Sequence, residues 1–545
     1  MGRVLVIGLD GFEVSYADQL VAEGLLPTFA AQHDDAARVL LDHGPAQRSG
    51  LGWEHFWSGL TPQASGRESA VEFDVSNYHV WQEGARFRPF FADFATESVV
   101  FDTPYADLVR ATGLRGVVAW GVHDPGLNGG AVSRPPGLVA EIEGIAGPYP
   151  ATRWTYAVPW ASADQCRLMG HDLKAGIEAR EAAALWLLTE RINDWDLAVV
   201  VISELHSGSE GLWHGVDPSH PLRQHPSTVA AGDALRGLYQ ATDRFVDRLV
   251  NATGASSVVV FSMSGMGRNR SDVASMVLLP ELLYRWAWGK PLLQVPVECS
   301  TAPDGVPGLA SGPVGWERSW WGLRTQPPRI MRALHRVERM IRSLHRSTLP
   351  VGYMPLDWQP ATWYRPWWPK MRAFALPSFY DGRIRVNLRG REARGVVDIA
   401  EYAVICDEIE DLLWACVDPR TGEPVVEAVE RVAAADAPDL SSCGADLAVV
   451  WRGEANCCDH PQHGRIGPLP YRRTGGHTGP YGYAAISGPR IVPGDYGVAS
   501  SFDVAPTILD LLGAAQPDHV SGKSLLDRLQ GAGAQFDDHY GSELA

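Results

Sequence analysis

Short apolar runs and longer amphipathic stretches alternate along most of this chain. The apolar runs, each of which stops at a small or polar residue, span residues 3–9, 197–202, 257–261, 447–451 and 482–486. Continuous runs of Val, Ile and Leu are typical of strands covered on both faces of a sheet. The stretches with helical periodicity span residues 173–193, 228–251, 399–417 and 504–512. This alternation predicts an α/β fold with a doubly wound, mostly parallel sheet flanked by helices.

A segment of different composition interrupts the pattern. Residues 280–370 hold many of the 20 tryptophans, much proline and a basic helical stretch at residues 330–346. We expect this segment to be an inserted cap between two parts of a catalytic core, residues 1–279 and 371–545. The tryptophans either build the core of the cap or offer stacking surface to an aromatic group of a substrate. The basic stretch is either a solvated helix face or the lining of a phosphate pocket.

The charge balance excludes one class of function. The 545 residues include 47 Lys and Arg against 64 Asp and Glu, a net charge of −17. Binding a nucleic-acid polymer without sequence preference needs positive surface, so we expect a small-molecule substrate instead. Residues 3–9 do not resemble a signal peptide, no apolar stretch has the length of a membrane span, and the seven cysteines do not suggest a disulfide framework. We expect a cytoplasmic protein with free thiols and no membrane contact, and a homo-oligomer is left open.

Two segments place reactive groups at the ends of predicted elements. Asp10 ends the first strand, and ligands bind at the carboxyl ends of strands in doubly wound sheets. Ser49 precedes an amphipathic turn, where the first amides of a helix favour an anion. That is a suitable place for a nucleophile attacking phosphorus or sulfur. Taken singly, each residue is also explained as a helix cap.

Together with three later segments, these two resemble the alkaline phosphatase superfamily, in its branch of type I phosphodiesterases/nucleotide pyrophosphatases and predicted phosphohydrolase–phosphomutases. In that branch a Thr or Ser nucleophile precedes a Trp and then a Gly at the spacing of Ser49, Trp53 and Gly59. The later segments that match span residues 385–397, 475–489 and 503–513. The resemblance implies an alkaline-phosphatase-like core, Ser49 as the nucleophile and a site for two metal ions.

The chain departs from the family at the first of these metal positions. The family has an Asp-His pair where this chain has Met263 and Ser264. A thioether and a hydroxyl are poor ligands for a hard cation. Of that position Asp10 and Ser49 remain, so we expect it to be empty or filled by the side chain of Arg48 or Arg268.

The second metal position is altered but retained. The family's Asp-x-x-x-His-x-x-Trp has the spacing of His206, Glu210 and Trp213. Together with the late His477, the resemblance implies a ligand set of two imidazoles and a carboxylate, which catalytic zinc sites use. We expect one divalent metal ion, zinc or else manganese or iron, at His206, Glu210 and His477, with Asp10 contributing to the site.

Other polar clusters leave alternatives open. If the register of the motif slips, Glu204 and His214 are the alternative ligands, and a loop without metal is the other interpretation. Residues 457–463 contain Cys, Asp and His side chains, which either form a second metal site or line a pocket. Glu54 and His55 follow the proposed nucleophile and either face the substrate or pack inside the protein.

Four residues are expected to bind the substrate: Arg48, Trp53, Arg268 and Asn269. The implied reaction is hydrolysis of a phosphodiester or nucleotide-type phosphoester. Ser49 would form a covalent phospho-enzyme, with Asp10 positioning or deprotonating it. The loss of one metal position leaves two alternatives. One is a biosynthetic transferase or other non-hydrolytic enzyme acting on a phosphate-, phosphonate- or sulfate-bearing intermediate, and the other is a non-catalytic ligand-binding relative.

Overall fold

The computed structural model describes residues 2–94, 97–111, 113–121, 130–155, 160–293, 352–432, 440 and 444–531. Most of the expected cap, including the basic stretch at residues 330–346, lies outside the described residues, so the division into core and cap stays a prediction. Among the helices that are described, none combines the length and the apolar character needed to cross a membrane.

A nine-stranded sheet forms the centre of the molecule, in the order β20-β2-β19-β9-β1-β8-β5-β6-β7. Its strands are β1 (Val4–Leu9), β2 (Ala37–Asp42), β5 (Ser98–Phe101), β6 (Leu114–Val118), β7 (Val132–Arg134), β8 (Leu197–Ile202), β9 (Ser257–Ser262), β19 (Gly482–Ser487) and β20 (Gly494–Ser500). Neighbouring strands pair in parallel except where β19 and β7 take part. The predicted mostly parallel sheet is therefore confirmed.

Helices cover both faces of this sheet. The described α-helices are α1 (Val14–Ala22), α2 (Pro27–Asp35), α3 (Gly52–Ser58), α4 (Pro62–Ser65), α5 (Leu138–Ala146), α6 (Ala163–Trp186), α7 (Glu204–Leu212), α8 (Thr228–Thr253), α9 (Leu279–Trp288), α10 (Tyr402–Trp414), α11 (Val504–Leu511) and α12 (Leu526–Leu529). Of these, α9 and α10 pack in a separate apolar core, described below. Strand β1 shows the two-sided burial: Leu5 and Ile7 belong to the apolar core under α6 and α8, whereas Val4 and Val6 belong to the core under α3 and α11. The doubly wound arrangement is confirmed.

A second, antiparallel sheet has the order β12-β13-β15-β14 and a core of its own. The strands outside the central sheet are β3 (Val71–Asp74), β4 (His79–Glu83), β10 (Gly265–Arg268), β11 (Tyr353–Pro355), β12 (Ala373–Leu376), β13 (Gly382–Val386), β14 (Val426–Arg431), β15 (Leu447–Trp451), β16 (Cys458–His460), β17 (Gly464–Ile466) and β18 (Gly475–Gly479). The apolar run at residues 447–451 forms a strand as expected, but in this smaller sheet, because an apolar run does not specify its partner strand.

Candidate active site

Asp10, His206 and His477 meet at one end of the central sheet. Asp10 follows β1, His206 lies in α7 directly after β8, and β1 and β8 are adjacent parallel strands whose carboxyl ends coincide. His477 comes from β18, which pairs with β10 beside them. One donor atom from each of the three side chains lies within 4.8 Å of the other two. His206 Nδ1 is 3.3 Å from Asp10 Oδ1 and 3.1 Å from His477 Nε2.

The outer ring nitrogens of both histidines face oxygen atoms. His206 Nε2 lies 3.3 Å from Glu210 Oε1, and His477 Nδ1 lies 3.2 Å from Ser264 Oγ. When the ring protons sit on these outer nitrogens, His206 Nδ1 and His477 Nε2 carry free lone pairs, and the two atoms lie 3.1 Å apart beside Asp10. Metal-binding histidines are usually fixed in this way by an oxygen on their far side. Two imidazoles and a carboxylate so arranged fit a divalent cation such as zinc.

The carboxyl group of Asp10 suits a ligand. Its burial opposes ionisation, but the charge and the hydrogen bond of His206, the charge of His477 and a hydrogen bond from Trp53 outweigh it and lower the pKa to about 2. Asp10 is therefore ionised at neutral pH. The same low pKa makes it a poor general base, because a base works best with a pKa near the operating pH.

Glu210 lies behind His206 rather than beside Asp10 and His477. Its Oε1 atom contacts Nη1 of Arg473. The Nε and Nη2 atoms of Arg473 each donate a 2.7 Å hydrogen bond to Asp272. Burial lowers the pKa of Arg473 to about 9, which still leaves the guanidinium charged at neutral pH. The geometry thus favours Glu210 as the partner that orients His206, whereas the sequence placed it among the metal ligands.

Arg473 is a functional candidate that the sequence analysis missed. It stands four residues before His477 in the segment Tyr-Arg-Arg-Thr-Gly-Gly-His, so its position was a signal, but its partners are distant in the chain. It brings a buried positive charge to Glu210. The expected arginines lie elsewhere.

Arg48 and Arg268 are bound to carboxylates outside the cluster. Arg48 Nη2 is 2.7 Å from Glu430, and Arg268 lies 2.9 Å from Asp217 and 3.2 Å from Glu454. These ion pairs argue against the expectation that either arginine fills the first metal position. Their assignment to substrate binding stays a prediction.

Three residues around the cluster have structural contacts: Met263, Ser264 and Asn269. The Met263 side chain belongs to the apolar core under α3. Ser264 contacts His477, as described above. The Asn269 side chain is buried; its Nδ2 donates to the carbonyl of Gly475, and its Oδ1 accepts from the backbone of Asp272. Asn269 therefore ties the strand that carries His477 to the loop that carries Asp272.

The segment of Ser49 and Trp53 reaches the cluster through Trp53. Ser49 ends a short 3-10 turn (Gly44–Ser49); its Oγ donates to the carbonyl of Ala46 at 2.7 Å and accepts from the backbone of Leu51 at 3.0 Å. The Trp53 ring lies against β1, so close that a Cβ added to Gly8 would be 2.5 Å from it. The Trp53 indole also donates a hydrogen bond to the Asp10 carboxylate. Ser49 thus stands on a segment anchored to Asp10, with its hydroxyl engaged in its own turn.

Tyr380 was also missed. Its ring meets the ring of His477 edge-on, with centroids 5.4 Å apart. A Cβ on Gly50, the residue after Ser49, would lie 3.3 Å from Tyr380 Cε2. Burial and the charge of Asp10 raise the pKa of the Tyr380 phenol, so it is protonated at neutral pH. Tyr380 therefore brings an aromatic ring with a neutral hydroxyl next to His477 and the Ser49 segment.

The alternative ligands are engaged elsewhere. Glu204 accepts hydrogen bonds from Arg180 at 3.0 and 3.1 Å, and His214 Nε2 lies 2.9 Å from Ser227 Oγ. These contacts argue against Glu204 and His214 as the alternative ligands.

Glu54 and His55 are buried inside the protein. Glu54 pairs with Arg67, and His55 Nδ1 lies 3.0 Å from Nε2 of His43. This placement favours the packing role for both residues.

The cluster at residues 457–463 does not assemble a comparable centre. Burial raises the pKa of the Cys457 thiol to about 12, and Asp459 pairs with Arg465 at 2.6 Å. The rings of His460 and His463 lie against each other with centroids 4.6 Å apart and an interplanar angle of 34°. Within the described ranges, the group of Asp10, His206 and His477 is the one place where three such ligands converge.

No protein-family model matches this chain, and no curated protein is significantly similar to it. Among solved structures, phosphonoacetate hydrolase from Sinorhizobium meliloti 1021 in complex with phosphonoformate is similar at 13% identity and a TM-score of 0.48, covering 94% of this chain and 96% of that one. Human ectonucleotide pyrophosphatase/phosphodiesterase 5 is similar at 12% identity and a TM-score of 0.44, covering 97% and 100%. Likenesses this distant do not decide the activity of this chain.

Proposed function

We propose that this protein is a metal-dependent hydrolase of a phosphodiester or nucleotide-type phosphoester, with Ser49 as nucleophile. The observation that carries the proposal is the oriented cluster of Asp10, His206 and His477, to which Trp53 anchors the Ser49 segment. Its donor set favours zinc over manganese or iron. The described cysteines are free thiols, which suits a reducing compartment such as the cytoplasm.

The metal ligands, Ser49 and Asp10 have separate roles in the proposed reaction. A divalent ion held by Asp10, His206 and His477 would withdraw charge from a phosphoryl oxygen. Ser49 would release its hydroxyl from the Ala46 carbonyl and attack phosphorus in line while the bond to the leaving group breaks, its proton passing through solvent to the departing oxygen, which leaves as an alcohol. Water would then attack phosphorus, and its proton would return to the Ser49 oxygen as the phospho-enzyme is cleaved. Because of its low pKa, Asp10 acts as a ligand and an orienting group, not as the base.

One metal position suits a diester better than a monoester. A diester carries one negative charge on its phosphoryl group at neutral pH, whereas a monoester carries close to two. With Met263 in the apolar core and Ser264 on His477, the first metal position lacks the Asp-His pair that the resemblance implies for it. A single cation therefore balances the charge of the diester.

The test is a comparison of chromogenic esters. Zinc-loaded protein is assayed with bis(p-nitrophenyl) phosphate, p-nitrophenyl phosphate and p-nitrophenyl sulfate. We expect the diester to have the highest kcat/KM, and Ser49→Ala and His477→Ala each to lose at least about 10²-fold. Ser58→Ala is the matched control, because Ser58 lies in α3 and donates only within its helix, to the carbonyl of Glu54.

Two results would contradict the proposal. If none of the three esters is turned over by the metal-loaded protein, the hydrolase assignment fails. If Ser49→Ala keeps the activity of Ser58→Ala, then Ser49 is not the nucleophile.

A further inference from the structure

Tyr380 stands on a tightly held hairpin of the second sheet. It lies in the loop between β12 and β13. The carbonyl before it, on Phe379, accepts a 2.7 Å hydrogen bond from Ser271 Oγ, and the carbonyl after it, on Asp381, accepts one of 2.7 Å from Ser275 Oγ. Both serines follow β10, the strand that pairs with the His477 strand. The loop is thus fixed on both sides of Tyr380 relative to the cluster.

The ring of Tyr380 lies beside both the metal cluster and the Ser49 segment. Tyr380 and His477 are both partly exposed, whereas Asp10, His206 and Ser49 are buried. The ring packs edge-on against His477 and lies beside Gly50. The Tyr380 ring therefore contacts the metal cluster through His477 and the Ser49 segment through Gly50.

We propose that the Tyr380 hydroxyl donates a hydrogen bond to a phosphoryl oxygen of the bound substrate. A tyrosine is a neutral O–H donor at neutral pH, and a preorganised donor aimed at developing negative charge lowers a transition state without reorganisation. Met263 and Ser264 stand where the resemblance implies two ligands of one metal position. Tyr380, from the loop between β12 and β13 of the second sheet, would supply a hydrogen-bond donor in their place. This inference rests on the proposed phosphoester hydrolysis and adds a residue to it.

The competing explanation is that Tyr380 only packs against His477. The variant Tyr380→Phe keeps the ring and removes the hydroxyl, so it separates the two explanations. Tyr284→Phe is the matched control. Tyr284 is a buried tyrosine in the apolar core of the second sheet, where it packs against Tyr364 and Trp367.

The experiment measures zinc content, diester turnover and binding of orthovanadate, an oxyanion probe, on the full-length zinc-loaded protein. For Tyr380→Phe we expect unchanged zinc content, a kcat for the diester lower by about 10²-fold and vanadate affinity lower by about tenfold. Tyr284→Phe should match the parent in all three. Ser271→Ala, which frees the loop at Phe379 but keeps the hydroxyl, should lower kcat by several-fold.

The outcomes are distinguishable. If the parent hydrolyses the diester and Tyr380→Phe keeps its kcat and its vanadate affinity, the donor role is overturned while the proposed function stands. If Tyr380→Phe loses zinc together with activity, its role is to support His477, and the donor role is again overturned. If the parent neither hydrolyses phosphoesters nor binds vanadate, the proposed function fails and this inference fails with it.

Discussion

Replacing Glu210 by glutamine tests the arrangement behind the metal cluster. In the structure Glu210 lies 3.3 Å from His206 Nε2 and contacts Arg473. Glutamine keeps the shape but removes the negative charge, so the hold on the His206 ring weakens. Loss of such an outer partner typically lowers metal affinity by about 10–100-fold, which is about 1.4–2.7 kcal/mol. A direct ligand should cost far more.

The assay is competition for zinc against a chromogenic chelator at pH 7. Asp272→Asn is the matched control, because Asp272 binds the same Arg473 but does not contact His206. We expect Glu210→Gln to bind zinc about 10–100-fold more weakly, Asp272→Asn to stay close to the parent, and His477→Ala to lose the site. If Glu210→Gln is as deficient as His477→Ala, then Glu210 is a ligand and the reasoning is wrong. If it binds zinc like the parent, Glu210 does not hold His206.

Further predictions concern stability. Arg180→Met should cost about 3–5 kcal/mol in urea denaturation, because it leaves Asp102 and Glu204 as buried, unpaired charges; a cost below about 1 kcal/mol would contradict this. Burial lowers the pKa of His214 to about 3 and of His220 to about 4. In the unfolded chain these histidines take up protons near pH 6.5, whereas in the folded chain they stay neutral to lower pH. The free energy of unfolding should therefore fall by up to about 3 kcal/mol for each pH unit as the pH is lowered from 6 to 4. A flat profile that His214→Gln leaves unchanged would refute this prediction. Adding a chelator should lower the Tm, and adding zinc back should restore it; an unchanged Tm would argue against a bound metal.

Periodicity was enough to predict the fold class, and the resemblance to the phosphodiesterase branch indicated the three residues that converge. Apolar runs buried on both faces predicted β1, β8 and β9, and the polar residues that follow β1 and β8 meet because parallel strands end at one edge. On α7, His206 and Glu210 are four residues apart and share a helix face. The pattern therefore placed them together, but it did not tell which one faces Asp10.

Pairings between distant segments were not predictable. Arg473 reaches Glu210 and Asp272 across more than 200 residues of chain, and nothing in its local sequence indicates those partners. Tyr380 enters the site only because the second sheet packs its hairpin against residues 271–275. Such contacts depend on how the second sheet packs against the central sheet and its neighbouring loops. Local periodicity does not specify this packing.

The central claim is that Asp10, His206 and His477 hold one divalent metal ion. The most direct measurement is elemental mass spectrometry of the protein purified without chelator and reconstituted with zinc, alongside His477→Ala. The account predicts about one zinc per chain, which His477→Ala loses. About two ions per chain would show that the first metal position is rebuilt by other residues, and no ion after reconstitution would contradict the metal centre.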